Sequence, residues 1–212
     1  MGGNQPVSGP DTTQDFVLSL IAGVDEVGRG ALFGPVVAAA VVLPSEARDT
    51  LQAMGVADSK QLTPKKREAL VPAIKSLAVA WAIGMASVHD IERINILQAS
   101  LLAMSRAIRK LEPQPQLCLI DGNRQVPQLR LPQQTVIQGD TKYVEIGAAS
   151  ILAKVWRDTL LVRLDRRYPG YDLASNKGYG SRTHRLAIQT LGPTHQHRKS
   201  FKGCQAEQQS LF

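Results

Sequence analysis

"AGVDEVGRGALFGPVVAAAVVL", residues 22–43, sets two adjacent carboxylates, Asp25 and Glu26, at the end of an apolar run and follows them with Gly28-Arg29-Gly30. On either side lie stretches of strand character. "FVLSLIAGVD" (16–25) supplies one, and "PVVAAAVVLP" (35–44), a β-branched and alanine run bounded by prolines, supplies the next. Two like charges at the tip of a buried strand are disfavoured by repulsion and by desolvation, at several kcal/mol (roughly, per unpaired group). Something must offset that penalty, and a bound cation is the leading candidate. Neighbouring strand residues point to opposite faces, so the pair is expected to share one site only if the strand ends there and the glycines turn the chain.

Outward from this hairpin, strands alternate with helices. Thr63 and Pro64 in "LTPKKREALVPAIKSL" (62–77) read as an N-cap and first helical position, with Pro72 expected to kink or divide the helix. "LAVAWAIGMA" (77–86) is a third strand alternating around Trp81. Residues 87–112 read as a helix in two pieces, opened by a Ser87–Asp90 capping pair. "QLCLID" ends a short buried strand at Asp121, and "QTVIQGD" holds another that stops before Asp140. Small and apolar residues at helical spacing make 144–168 a long helix, and "THRLAIQTLG" (183–192) makes a short one. The pattern predicts an α/β fold: a mixed central sheet flanked by helices, with a helical C-terminal part. Residues 1–15 read as a disordered leader, 16–203 as one domain and 204–212 as a flexible tail.

The chain has 212 residues with 25 Lys and Arg against 18 Asp and Glu, a net charge of +7, which points toward an acidic partner such as nucleic acid. Only two cysteines occur, Cys118 in an apolar stretch and Cys204 in the polar end, so neither a disulfide framework nor a zinc cluster is expected and the cytoplasm is the expected compartment. No apolar run approaches the roughly 20 residues of a membrane span.

Asp25, Glu26, Asp121 and Asp140 all fall at or near strand ends, where open α/β sheets gather ligand sites. Read singly, each has a structural explanation, and Asp140 alone would serve as a helix cap. Read together, an oxygen-only set suits hard cations, Mg²⁺ or Mn²⁺, which also bind substrate phosphates. Two such ions about 3.5–4 Å apart can activate a water and stabilise a leaving oxygen. Without metal, the acids of a basic protein would repel a phosphate backbone.

Seven segments, "AGVDEVGRGALFGPVVAAAVVL", "DSKQLTPKKRE", "INILQASLLAM", "LIDGNR", "GDTKYVEIGAASILAKVWRD", "NKGYGSRTH" and "HRKSF", resemble in order the signature blocks of bacterial ribonuclease HII. The resemblance implies a ribonuclease H-like fold and metal-dependent cleavage of RNA in RNA–DNA hybrids, including single ribonucleotides embedded in duplex DNA. It places the metal-site acids on Asp25, Glu26, Asp121 and Asp140. In the sister type, ribonuclease HIII, the fourth acid is usually Glu and an extra N-terminal domain precedes the catalytic one, so type HII is the better fit. The expected reaction is attack of a metal-activated water on the phosphorus 5′ of a ribonucleotide, leaving a 3′-hydroxyl and a 5′-phosphate.

The resemblance further implies that Gly28, Arg29 and Gly30 read the 2′-OH, and that Tyr179 packs on the nucleotide at the RNA–DNA junction. Lys60, Lys154, Lys177 and Arg198 are candidate phosphate contacts, each weighed against a solvated cation. Asp158 rivals Asp140 for the fourth metal place but fits a helical ion pair better. Asn176 stands where many relatives have His, and Ser181 where they usually have Thr. The end, "QQSLF", resembles short clamp-binding peptides, with Gln208, Leu211 and Phe212 as anchors to a sliding clamp; docking back onto the protein's own surface is the alternative. A monomer is expected. Two other readings stand beside the ribonuclease: a nuclease of the same fold acting on DNA, and a non-catalytic nucleic-acid-binding protein.

Overall fold

The computed structural model describes residues 20–56 and 62–204. Five strands, β1 (Ile21–Val27), β2 (Val36–Val42), β3 (Ala80–Ala86), β4 (Leu117–Asp121) and β5 (Gln133–Val136), form one sheet in the order β3-β2-β1-β4-β5. The first three are an antiparallel meander, whereas β4 and β5 join in parallel. The connection from β3 to β4 runs through a helix, whereas the parallel strands β4 and β5 are joined by residues 122–132, which hold none.

Six helices complete the described chain: α1 (Ser45–Ala53), α2 (Pro64–Leu77), α3 (Val88–Ile108), α4 (Val144–Asp165), α5 (Leu173–Asn176) and α6 (Arg182–Leu191). Alternation along β2 divides the core between two faces. Ala38, Ala40 and Val42 pack with Ala103, Met104 and Ala107 of α3, while Ala39 and Val41 pack with Ala148, Ala149 and Leu152 of α4 and with α1 and α2. Small side chains in β2 let both helices lie close to the sheet. Contact is very close at Gly23, where any Cβ would fall inside the Glu145 carbonyl at the start of α4, and equally close at Gly84 of β3, where it would meet the Ala103 carbonyl of α3.

Several expected local signals are present. Thr63 accepts from the Lys66 N–H at 3.3 Å with Pro64 following, and Ser87 and Asp90 form a reciprocal capping box. The α3 helix is broken at Asn95 (φ 65°), whose carboxamide oxygen accepts from the Gln98 N–H at 3.1 Å and restarts it. Three readings are corrected. α2 runs undivided through Pro72. The helix α1 was absent from the predicted elements. Cys204, placed in a polar tail, is buried in a cluster with Leu32, Phe33, Leu161 and Tyr171, so the packed domain extends through it. The leader and residues 205–212 lie outside the described residues.

Candidate active site at the strand tips

β1 does not end at its acidic pair. Asp25 and Glu26 stay in register opposite Ala39 and Ala38, and the turn begins only after Val27. Their side chains therefore leave the strand on opposite faces, contrary to the expectation that a turn would swing them together. What opens the site is the other edge of β1: its ladder with β4 stops at Val24–Ile120, one residue short of both Asp25 and Asp121.

The charges feel one another there. Burial, then Glu26, then Asp121 push the Asp25 carboxyl well above the usual range, against a stabilising hydrogen bond from Ser150 on α4. Glu26 is raised as well, by burial first, with the Arg29 guanidinium at 3.1 Å opposing and Asp121 adding to the rise. Asp121 Oδ1 accepts from the Gly139 N–H at 2.7 Å, which ties β4 to the 3-10 turn Gly139–Thr141 carrying Asp140. Asp140 is fully buried and is not a helix cap, because Tyr143 occupies the N-cap of α4.

The charge of Asp121 thus acts on both Asp25 and Glu26, and Asp140 lies on the adjoining turn. Among the described residues, no three acidic, histidine or cysteine side chains form a group that could hold a metal as they stand. The donor chemistry nonetheless suits a divalent ion. All the donors are carboxylate oxygens, and Glu26 Oε2 is buried with no hydrogen-bond partner. Glu145 and Asp158 stand apart: Glu145 pairs with Arg48 at 2.6 Å, and Asp158 with Lys154 at 2.7 Å, one turn away on α4.

The Gly28-Arg29-Gly30 loop leaves the same strand tip. Gly28 has φ +91°, and a Cβ on it would collide with the Arg157 side chain; Arg29 and Gly30 are exposed. Ala31 then bridges to Tyr179, so the loop and the tyrosine are neighbours. Two buried arginines brace this neighbourhood from below. Arg157 donates to the carbonyls of Phe33, Pro35 and Lys177, with its guanidinium 5.5 Å from the Tyr179 ring centre. Arg198 donates twice to Gly34 O and once to Arg29 O.

That arrangement corrects Arg198, which was expected on phosphate: it is fully buried and holds main chain instead. Lys154 is drawn to Asp158, and Lys177 Nζ turns back to the Ala174 carbonyl. Lys60 lies outside the described residues, as do Gln208, Leu211 and Phe212. Asn176 bonds both the Tyr171 carbonyl and the Gly178 N–H, shaping the turn into Tyr179, and Ser181 caps α6. Sequence reasoning missed Ser150 and Arg157. Both lie inside the "GDTKYVEIGAASILAKVWRD" segment, but only contact with Asp25 and Gly28 reveals what they do.

A mixed five-stranded sheet flanked by helices, with acids gathered at the tips of β1 and β4, defines a ribonuclease H-like fold. A ribonuclease H2 from Pyrococcus horikoshii OT3 has the same fold (TM-score 0.73, 26% identity, covering 87% of this chain and 94% of that one). So has the ribonuclease HII solved as a PCNA:RNase HII complex from Archaeoglobus fulgidus (TM-score 0.73, 25% identity, covering 86% and 95%). Residues 22–204 match the family described as Ribonuclease HII, and the ribonuclease HII of Acaryochloris marina is 63% identical over 186 residues, covering 88% of this chain and 94% of its own. The chain belongs to the ribonuclease HII family and is a metal-dependent ribonuclease H.

Proposed function

We propose that this enzyme hydrolyses the RNA strand of RNA–DNA hybrids and cuts on the 5′ side of ribonucleotides embedded in duplex DNA, with Asp25, Glu26, Asp121 and Asp140 holding Mg²⁺ or Mn²⁺. The observation that carries this reading is the shared strand tip. Two adjacent carboxylates, both raised by burial and by the charge of Asp121, and a glycine loop bridged to an exposed tyrosine leave β1 within six residues of each other, from Asp25 to Gly30.

Two divalent ions would supply Lewis-acid activation of a water and neutralise charge developing on the phosphoryl oxygens. The protein's own groups do the rest. Ser150 and the Gly139 N–H hold Asp25 and Asp121 in fixed orientations. The exposed backbone at Arg29 and Gly30 can approach a sugar closely and exchange hydrogen bonds with a 2′-OH, which deoxyribose lacks. Tyr179, 36% exposed, offers a ring on which a base or sugar can pack. The buried guanidiniums of Arg157 and Arg198 place positive charge beneath the loop that meets the phosphate backbone.

Cleavage mapping on a duplex carrying one ribonucleotide tests this. A metal-dependent cut immediately 5′ of the ribonucleotide, with a 3′-hydroxyl product and no cut in all-DNA duplex, is expected. Equal cutting of the all-DNA duplex would favour a DNA nuclease of the same fold.

The tail adds a partner. An archaeal relative was solved with PCNA, which supports reading Gln208, Leu211 and Phe212 as clamp anchors here. Equal clamp affinity in a chain ending at Glu207 would overturn that part. Free Cys118 and Cys204 fit a reducing compartment such as the cytoplasm; among the described residues no helix is long and apolar enough to cross a membrane.

A further inference from the structure

Two signature blocks, "NKGYGSRTH" and "HRKSF", each contain a histidine that the catalytic reading does not use, His184 and His197. They meet. Both are buried, 0% and 1% exposed, and their Nε2 atoms lie 3.2 Å apart. His184 sits in the first turn of α6, and His197 bridges to Phe33 of the substrate-side loop.

Their partners dictate where each proton is. The Thr194 backbone N–H can only donate, so at 2.9 Å it makes His197 Nδ1 an acceptor. A neutral imidazole then carries its proton on Nε2 and donates it to His184 Nε2. His184 must therefore keep its own proton on Nδ1. There the Tyr179 main-chain carbonyl, which can only accept, lies 2.9 Å away. Burial favours the neutral form of both rings, pushing His197 down to about 4 and lowering His184. The Tyr179 carbonyl also accepts from the Ser181 N–H at 2.8 Å, which fills its second lone pair. Tyr171 and Phe33 pack on the His197 ring at 4.8 and 4.9 Å and leave it little room to flip.

We infer that His197 and His184 are positioning residues: a one-way hydrogen-bond relay from Thr194 that fixes the Tyr179 peptide and so the attitude at which the tyrosine ring meets a nucleotide. A merely space-filling pair would need no particular direction. The inference rests on the proposed role of Tyr179 and deepens it.

Two measurements decide it. In ¹⁵N long-range correlation spectra of the intact chain at pH 7 without substrate, His197 is expected as the Nε2–H tautomer and His184 as Nδ1–H. The opposite tautomer at His184, or a charged ring at either site, overturns the relay whatever the enzyme cleaves. The second measurement compares His184→Asn, whose amide N–H can replace Nδ1–H, with His184→Gln, whose amide reaches toward the Nε2 position instead. On a duplex with one ribonucleotide, kcat/KM should fall about tenfold for Gln and within about threefold for Asn. In a Tyr179→Ala background the further loss from His184→Gln should shrink to about twofold or less, because there is no ring left to position. An equal loss in both backgrounds overturns the inference. Should His184→Gln fail to fold, the tautomer measurement stands alone, since it needs no substitution.

Discussion

Arg198 Nη1 donates to the main-chain carbonyl of Arg29 at 2.8 Å, joining positions 169 apart in the chain. A residue near the C-terminal end of the described chain thereby holds the loop that leaves the first strand. Burial, and then the neighbouring Arg157, push the Arg198 guanidinium down to about 9, so it remains charged at neutral pH.

Arg198→Lys should therefore behave as a loop mutation. A lysine has no planar fork with which to reach the Gly34 and Arg29 carbonyls together, and at least one is left unpaired. Urea denaturation should show a loss of about 1–3 kcal/mol. The salt dependence of hybrid binding should keep its wild-type slope. A shallower slope would return Arg198 to the phosphates.

Asp25→Asn should abolish cleavage while stabilising the metal-free protein at pH 7. The folded-state carboxyl is raised above its unfolded value, so the folded protein takes up protons more readily. Stability is gained as pH falls through the raised value and diminished above it. Removing the charge should give about 1–3 kcal/mol at neutral pH and flatten that part of the pH profile. Thermal melts of both proteins without divalent ions, at pH 5 and 7.5, check the sign.

Divalent ions should raise the melting temperature. At a hundredfold excess over Kd, Mg²⁺ or Mn²⁺ should add about 2.7 kcal/mol, and Asp121→Asn should lose most of the increment. Running Asp140→Asn alongside tests the fourth acid: an undiminished ion response there would remove Asp140 from the set.

His197 should make the fold acid-sensitive before its carboxylates do. Its ring is held to about 4 against 6.5 for a free histidine. The unfolded chain thus binds a proton that the folded one refuses between these values. The sign is opposite to that of Asp25: stability falls as pH drops through that window, by about 3 kcal/mol in all. His197→Gln should flatten the profile between pH 6.5 and 4 in urea melts.

Much of the architecture could be read locally, where a residue's job is settled by its sequence neighbours. Ser87 and Asp90 cap each other three positions apart, and Thr63 with Pro64 opens α2. The β2 apolar run is bounded by prolines within its own segment. Asp121 at the end of β4 was legible for a related reason, because a carboxylate closing an apolar strand is anomalous without any knowledge of what faces it; β1, by contrast, runs on past Asp25 and Glu26 to Val27. Arg198 and Cys204 were misread because their partners, Gly34 and Leu32, are 164 and 172 positions distant. In "HRKSF" an arginine looks like surface charge, and the polar sequence around Cys204 carries no trace of the apolar pocket that receives it. Pro72 was misread differently: helical packing of Leu70 and Ile74 on either side overrode the local preference of the imino acid.

Gly23 has no functional group, yet it sets how near α4 may come to the sheet. The same helix carries Ser150, which bonds Asp25 only two residues further along β1. A methyl at position 23 would act as a shim under one end of that helix, prising the hydroxyl from the acid it steadies. An alanine there would resemble a lesion of the reaction centre in its kinetics, although it touches no reacting atom.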